Sequence, residues 1–521
     1  MSFMNQLQNT LNDEKSITEN GAVGYRTTGK KLLDINFAVS SLRNVSDKQV
    51  EDKFSAAFYE NPLLAVKWLF YAADVREGMG ERRLFRICTK WLTQTRPEIV
   101  RPLLPLVAEY TRWDNLWCLL GTELHWDIID LVEKQLENDL KLKAEGKPIS
   151  LLAKWMPSEN ATSQKTREYA KVFIKDLKIS ERDYRKIMTE LRAYLRVVET
   201  MMSAKKWNEI DYSIVPSRAN LIYNSAFLRN DEERRREYLS KLEKGEAKIN
   251  SSVLFPHDIV HKYTNGSSYV RGSKDIAIEE MWKALPDYVK GNESTICVAD
   301  GSGSMTTRIS GNISALDVAN ALAIYFAERC SGQFKDKYIT FSMKPQLVDF
   351  SNAKTLIEKV EIALKHNEVA NTNIEAVFDL ILQTAIDGKM SQEEIPQNIL
   401  ILSDMEFDGC VKSGVENVRK TSWGWSCNSY KKPDTTLFDT IAAKYAAHGY
   451  KLPRLVFWNI ASRTGTIPVK ENALGVALVS GFSPAVVKMV LSNATDPFEC
   501  LLEQINSERY APVEEAIKQV V

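Results

Sequence analysis

Asp300, Ser302 and Ser304 stand at alternate positions in Thr295-Ile-Cys-Val-Ala-Asp-Gly-Ser-Gly-Ser-Met305. Five mostly apolar residues, with the length and β-branching of a buried strand, run into an acid. Hydroxyls and glycines follow at once, and Gly301 and Gly303 let the backbone turn where the strand ends. Oxygens spaced this way on one loop can converge on a point. Three hard oxygens at the carboxyl end of a strand suit a small divalent cation, Mg²⁺ above all. The opposing reading is a structural loop in which Asp300 caps backbone amides.

The Asp-x-Ser-x-Ser pattern resembles the metal-ion-dependent adhesion site of von Willebrand factor A domains. That resemblance demands a Thr and an Asp on later loops. Thr372, in Asn371-Thr-Asn-Ile374, precedes a helical pattern, and Asp404 ends the apolar run that starts at Asn398. The resemblance thus implies a metal set of Asp300, Ser302, Ser304, Thr372 and Asp404, holding Mg²⁺ or another divalent cation such as Mn²⁺ or Ca²⁺. Ser302, Ser304 and Thr372 would bind the ion, and Asp300 and Asp404 would act directly or through water. A coordination position left to water could be taken by a partner's carboxylate. Asn371 stands where the family often has Gly. After Asp404, a long stretch from Gly409 to Asp434 carries Trp423, Trp425 and Tyr430, and reads as a partner-binding lip or a cover for the sheet edge.

Two other spacings are weaker. His257 and His261 lie one helical turn apart, as zinc ligands can, but no third ligand is near and Asp258 replaces the metalloprotease Glu. Gly24 to Lys31 nearly matches a phosphate-binding loop, yet its last position lacks the hydroxyl and no buried strand precedes it. No nucleophile–base constellation is evident. Glu406 and Asp408 are the only further carboxylates near the metal set, so an enzyme is the least favoured class.

The elements that must position these residues differ between the two halves. From residue 294, strands and helices alternate, the signature of a doubly wound α/β sheet. Strands are expected at 295–299, 337–341, 347–350, 399–402, 455–459 and 476–479. Helices are expected at 314–330, 355–364, 374–386, 437–448, 484–491 and 498–508, with a closing stretch at 512–521. Residues 50–290 read as helix after helix, simplest as antiparallel helical hairpins of the HEAT-like repeat kind. The expected organisation is multidomain: an all-α domain at 1–290 and an α/β von Willebrand A-like domain at 291–521.

Formal net charge is zero, but residues 1–290 carry 46 basic against 41 acidic residues and residues 291–521 carry 22 against 27. The basic excess concentrates in 151–230, with 15 basic and 9 acidic residues, a modest patch rather than a basic tail. Seven scattered cysteines without Cys-x-x-Cys spacing suggest reduced thiols and a cytoplasmic setting. The first ten residues lack a basic stretch followed by an apolar core, so no signal peptide is expected. No apolar run nears the roughly 20 residues that span a bilayer, and no membrane partner is expected.

Several phrases in the helical half carry polar content that helix packing does not require. They are Asp74-Val-Arg-Glu-Gly-Met-Gly-Glu-Arg-Arg-Leu-Phe85, Tyr110-Thr-Arg-Trp-Asp114, Leu152-Ala-Lys-Trp-Met-Pro157, Tyr184-Arg-Lys, Leu191-Arg, Lys205-Lys-Trp207 and Val215-Pro-Ser-Arg218. With Val456-Phe-Trp-Asn459 they resemble the TROVE helical module of Ro autoantigen RNA-binding proteins. More closely, they resemble a Ro-like family of unknown function that joins such a module to a C-terminal von Willebrand A domain. The likeness runs from about Glu19 to Val490. It implies a ring or arc of helical hairpins whose basic surface binds single-stranded or small structured RNA, through phosphate contacts and base stacking. Candidates chosen by charge and motif are Arg76, Arg82, Arg83, Arg112, Lys154, Arg185, Arg192, Lys205, Lys206 and Arg218. Ion pairing between helices explains any one of them as well. The expected function is therefore a non-enzymatic, ribonucleoprotein-type RNA binder, with the metal site serving a protein partner or ordering its loops. The alternative is a protein-interaction scaffold that captures carboxylates through the metal and binds no RNA.

Overall fold

The computed structural model describes residues 15–289, 294–341, 344–368, 372–408, 418–421, 424–427, 437–470, 473, 475–486 and 496–520. They form two compact units. One holds Met1–Val45, Phe255–Lys274 and Asp287–Gln504, the other Ser46–Leu254, Asp275–Pro286 and Ile505–Val521. Each unit therefore takes segments from both sides of residue 290. Strand-and-helix rhythm is a local signal, whereas the segments that change sides do so through long-range docking.

The first unit opens with a hairpin of β1 (Lys15–Ile17) and β2 (Val23–Tyr25). Its main sheet has β3 (Thr295–Asp300), β4 (Lys337–Phe341), β5 (Gln346–Asp349), β6 (Asn398–Ser403), β7 (Arg454–Asn459) and β8 (Val476–Ser480). They lie side by side as β8-β7-β6-β3-β4-β5, parallel throughout except for the antiparallel β5 at the edge. Counted along the chain, the main sheet's order is 3-2-1-4-5-6, the doubly wound order. The six expected strands are all present to within a residue or so, because strands covered on both faces read as unbroken apolar runs. The helix Ala315–Arg329 is buried along most of its length, and its Ala-rich sequence allows close approach. Ser314 and Asp317 cap its start reciprocally, Ser314 Oγ accepting from the Asp317 amide at 3.1 Å. Leu356–Lys365, Glu375–Asp387, Leu437–Ala447 and Pro497–Ile505 match the other expected helices. Of the stretch 484–491 only the short turn Pro484–Val486 falls among the described residues.

Three segments of the expected helical half belong to this sheet unit. The hairpin bonds to the loop after β6 and to Ile467, and Tyr25 and Ile467 exchange amide bonds of 2.8 Å. A Cβ on Gly24 would lie 2.5 Å from the Ile467 carbonyl, so only glycine allows that approach. The helix Lys31–Ala38 is fixed by Asn459 Nδ2 donating to the Phe37 carbonyl at 2.7 Å and by Ser40 donating to the Asn459 carbonyl at 3.0 Å. The helix Pro256–Thr264, which carries His257 and His261, packs on Ala315–Arg329. The near match to a phosphate loop is a closed turn: the Thr27 hydroxyl and the Thr28 amide and hydroxyl all donate to Asp34.

The second unit is helical, with no strand among its described residues. Asn61 caps Pro62–Ala73 by accepting from the Leu64 amide at 3.0 Å, with Pro62 at the first helical position. Phe54, Phe58, Trp68 and Trp91 form an aromatic cluster between neighbouring helices. The Asp74–Phe85 phrase is largely architectural. A Cβ on Gly78 would fall 1.9 Å from the Tyr71 carbonyl, so the turn that starts Arg82–Thr95 needs glycine there. Asp74 is fully buried and receives Arg509 and the Tyr510 hydroxyl from the returning segment 505–520. Lys67, also buried, reaches Glu514 at 2.6 Å and Asn506 at 2.7 Å. Asp74→Ala leaves Arg509 facing a buried gap and is expected to destabilise this unit by about 3–5 kcal/mol. Denaturant unfolding read from the helical signal tests this.

Candidate functional site

β3 and β6 are neighbours, and the strand order reverses between them, so their carboxyl ends open on the switch point where doubly wound sheets bind ligands. Asp300 is the last residue of β3 and Asp404 follows β6. Asp300 Oδ1 accepts from the Ser302 amide at 2.9 Å and Oδ2 from the Ser403 hydroxyl at 2.6 Å. The Ser302 and Ser304 hydroxyls are 3.0 Å apart, and the Ser304 side chain hydrogen-bonds Asp404. Asp300, Ser302, Thr372 and Asp404 are each only 1% exposed. Burial, and then repulsion from Asp404, pushes the Asp300 carboxyl up to about 7. Burial also raises Asp404, opposed by its bonds to Ser304 and the Glu406 amide. Arg463, 4.0 Å from Asp404, is the cation nearby.

Thr372 joins this cluster through an intermediary. Asn20, at the tip of the β1–β2 hairpin, donates from Nδ2 to the Thr372 hydroxyl at 3.1 Å and to the Glu406 carbonyl at 2.6 Å. The Asp408 amide donates to the Thr372 carbonyl at 3.0 Å. Five positions from three separate loops thus share one rim of the sheet. Glu406 is fully buried, and its carboxylate is occupied by the amides of Glu19, Arg463 and Thr464 and by the Thr464 hydroxyl. It braces loops and has no room for work as a base. Asn371, the stretch 409–417 and Trp423 and Tyr430 lie outside the described residues. Of Trp425 and Cys427 only the backbone is described, in a short antiparallel ladder of Val418–Thr421 with Gly424–Cys427.

A second candidate lies wholly in the helical unit, a cleft of about 700 Å³. Arg86, Lys154, Lys165, Arg192 and Arg218 line it together with Trp117, Trp155, Tyr169 and Tyr223. The Leu152–Pro157 phrase builds its floor. Arg192 donates to the carbonyls of Ala153 at 2.8 Å and Met156 at 2.7 Å, the Tyr184 hydroxyl to that of Pro157 at 2.6 Å, and Trp117 Nε1 to that of Trp155 at 3.3 Å. Arg112 lies 3.9 Å above the Trp155 ring and pairs with Asp114. Burial, and then the neighbouring cations Arg112, Arg86 and Arg218, pull Arg82 down from the usual guanidinium range, with Asp114 acting in the opposite sense. Several positive charges therefore crowd one concave surface.

Of the ten basic candidates, Lys154, Arg192 and Arg218 line this cleft, and Arg82 and Arg112 adjoin it. The rest do not line it. Arg76 donates to the Glu109 carbonyl, Arg83 pairs with Asp47, Arg185 with Glu159 and Lys206 with Glu209. Lys205 is an exposed helix-end residue with φ of 56°. Arg192, although in the cleft, is spent on holding its floor. Sequence reasoning missed Arg86, Lys165, Asn20, Ser403 and Arg463. Ser403 could have been noticed as a hydroxyl ending an apolar run, while the others carry no local signal. The His257 ring packs edge-on against Phe482, and no group of three or more His, Cys, Asp or Glu able to hold a metal occurs among the described residues. The zinc reading therefore gains no ligands.

Fold and sites together define a two-unit protein, a helical array with a basic, aromatic cleft and a doubly wound sheet with an acid-and-hydroxyl cluster at its switch point. Two families, each a domain of unknown function, match it by their models: DUF7788 over residues 294–519 and DUF2828 over 18–109 and 161–294. The chain is 28% identical to "Uncharacterized protein L728" of Acanthamoeba polyphaga mimivirus, over 96% of this chain and 88% of that one. Among solved structures, the Deinococcus radiodurans RO (RSR) protein aligns over 89% of this chain and 93% of that one, with 13% identity and a TM-score of 0.41. No helix among the described residues is long and apolar enough to cross a membrane.

Proposed function

We propose that this protein is a non-enzymatic RNA-binding protein that takes single-stranded or small structured RNA into the cleft of its helical unit. The observation that carries this reading is the cleft itself, in which four aromatic residues lie among Arg86, Lys154, Lys165 and Arg218, with Asp114 and Glu199 the acids that share its wall. Cations at that density suit phosphates, and the half-buried rings of Trp155, Tyr169 and Tyr223 suit unpaired bases. The Ro-like phrases support it too, since Ala153-Lys-Trp-Met-Pro157 both builds the floor and supplies Lys154 and Trp155. On this reading the helical unit is a TROVE-type, HEAT-like array and the sheet unit a von Willebrand A domain.

We further read the five-residue cluster as a site for Mg²⁺ or a similar divalent cation. Two buried carboxylates repel each other there, and the surrounding donors are hydroxyls, the hard oxygens such an ion prefers. Asp300, Ser302, Ser304, Thr372 and Asp404 would hold the ion, which would offset the buried negative charge and order the loops.

The test is to purify the full chain without nuclease, sequence any nucleic acid that accompanies it, and titrate short single-stranded RNA at several salt concentrations. Co-purifying RNA and an affinity that falls steeply with salt are expected. A protein that shows no affinity for RNA at low salt leaves the scaffold reading, with carboxylate capture at the cation site, in its place.

A further inference from the structure

The β1–β2 hairpin reaches the acid-and-hydroxyl cluster by more bonds than a short surface ribbon needs. Its tip, Thr18–Ala22, lies along the loop after β6: the Thr18 hydroxyl donates to the Phe407 carbonyl at 2.6 Å, the Ala22 amide to the same carbonyl at 3.3 Å, and the Glu19 amide to the Glu406 carboxylate at 2.9 Å. Gly21 bridges to Asp408. Asn20 touches both the Thr372 hydroxyl and the backbone just beyond Asp404. The Glu19 carboxylate pairs with Arg463 at 2.5 Å, through the same guanidinium nitrogen that stands 4.0 Å from Asp404. Every loop that supplies an oxygen beyond the Asp300–Ser304 turn is therefore stitched to this hairpin or to the arginine it holds.

We propose that the hairpin is a cation-dependent clasp, in which Asn20 is a positioning residue that aims the Thr372 hydroxyl, so that metal binding and hairpin docking strengthen each other. This rests on the cation-site reading above. A hydroxyl oxygen that accepts from Asn20 keeps a second lone pair and a fixed direction for an ion, which is how outer partners tune metal ligands. Ordering of the loop 404–408 by an ion fixes the carbonyls that the hairpin amides bond to. Linkage makes the effect reciprocal, with the docked hairpin raising cation affinity by the factor by which the cation raises docking. Arg463 serves the same end, because neutralising Asp404 with a cation leaves the guanidinium to Glu19.

The experiment uses the full chain, stripped with chelator, with Mn²⁺ as the probe. Calorimetric titration gives the affinity, and hydrogen exchange by mass spectrometry follows residues 15–25 with and without Mn²⁺. In the parent protein, saturating Mn²⁺ is expected to slow exchange of this segment by about tenfold, within the usual range of coupling between sites. Asn20→Ala, at an exposed turn position, is expected to weaken Mn²⁺ by about the same factor and to remove the metal-dependent change in exchange. Thr18→Ala, which loosens the hairpin without touching Thr372, serves as the second variant and is expected to weaken Mn²⁺ through docking alone. Mn²⁺ that binds the parent while leaving exchange of 15–25 unchanged, or that binds Asn20→Ala as tightly as the parent, overturns the clasp and leaves the cation site standing. A parent that binds no Mn²⁺ overturns both.

Discussion

Asp300→Asn is expected to abolish the protection that Mn²⁺ or Mg²⁺ gives against heat, while leaving the metal-free protein as stable as its parent to within about 1 kcal/mol. Both halves follow from the geometry at the end of β3. The amide keeps an oxygen for the Ser302 amide and a polar atom for Ser403, so the hydrogen bonds survive in modified form. What disappears is a charge buried beside Asp404, which is a cost without a cation and a benefit with one. For the parent, a cation at about one hundred times its dissociation constant adds about 2.7 kcal/mol. In a unit of this size that raises the melting temperature by about 4–5 °C. Differential scanning calorimetry of chelator-treated protein, with and without Mn²⁺, reads both quantities. An equal rise in the variant and the parent would remove Asp300 from the cation site.

The second large effect concerns the cleft. Lys165→Glu combined with Arg218→Glu is expected to lower affinity for single-stranded RNA by about 100-fold near physiological salt, and to make the salt slope shallower by about 2. Both side chains are exposed and line the cleft, so charge reversal spares the helix core. Lys206→Glu is the contrasting variant. It removes an exposed pair with Glu209 away from the cleft and should leave affinity within about twofold of the parent. Equal losses from the double variant and from Lys206→Glu would mean that diffuse charge, and not the cleft, attracts RNA. Electrophoretic mobility shift or fluorescence anisotropy at three salt concentrations distinguishes the cases.

The sheet was legible because β3, β6, β7 and β8 are covered on both faces and so spell themselves out as apolar runs. The same logic placed Asp300 and Asp404 at strand ends, where an acid interrupts such a run. The hairpin was illegible for the opposite reason. Lys15-Ser-Ile and Val23-Gly-Tyr are three-residue strands without alternation, and what fixes them is bonding to residues some four hundred positions away. The basic residues were only half legible. Charge alone cannot tell Lys154, which faces the cleft, from Arg83 or Arg185, which are paired with acids on neighbouring segments. Arg86 and Lys165 sit in ordinary amphipathic helices, and only tertiary packing turns them toward one hollow. The Asp74–Phe85 phrase misled most, since its glycines and its acid serve a tight turn and a buried anchor for Arg509.

The interleaving of the two units bears on how the chain is made. A ribosome delivers Ser46–Leu254 long before the segment 505–520 that supplies Arg509, Tyr510 and Glu514 to it. The nascent helical array therefore waits without the late partners of Asp74 Oδ2 and Lys67 until translation of the whole sheet is complete. The hairpin at residues 15–25 waits in the same way for Phe407 and Ile467. Neither unit can mature in the order of its synthesis, and a chain that stops at residue 504 carries every segment of the sheet unit but leaves the helical unit without the one that anchors it.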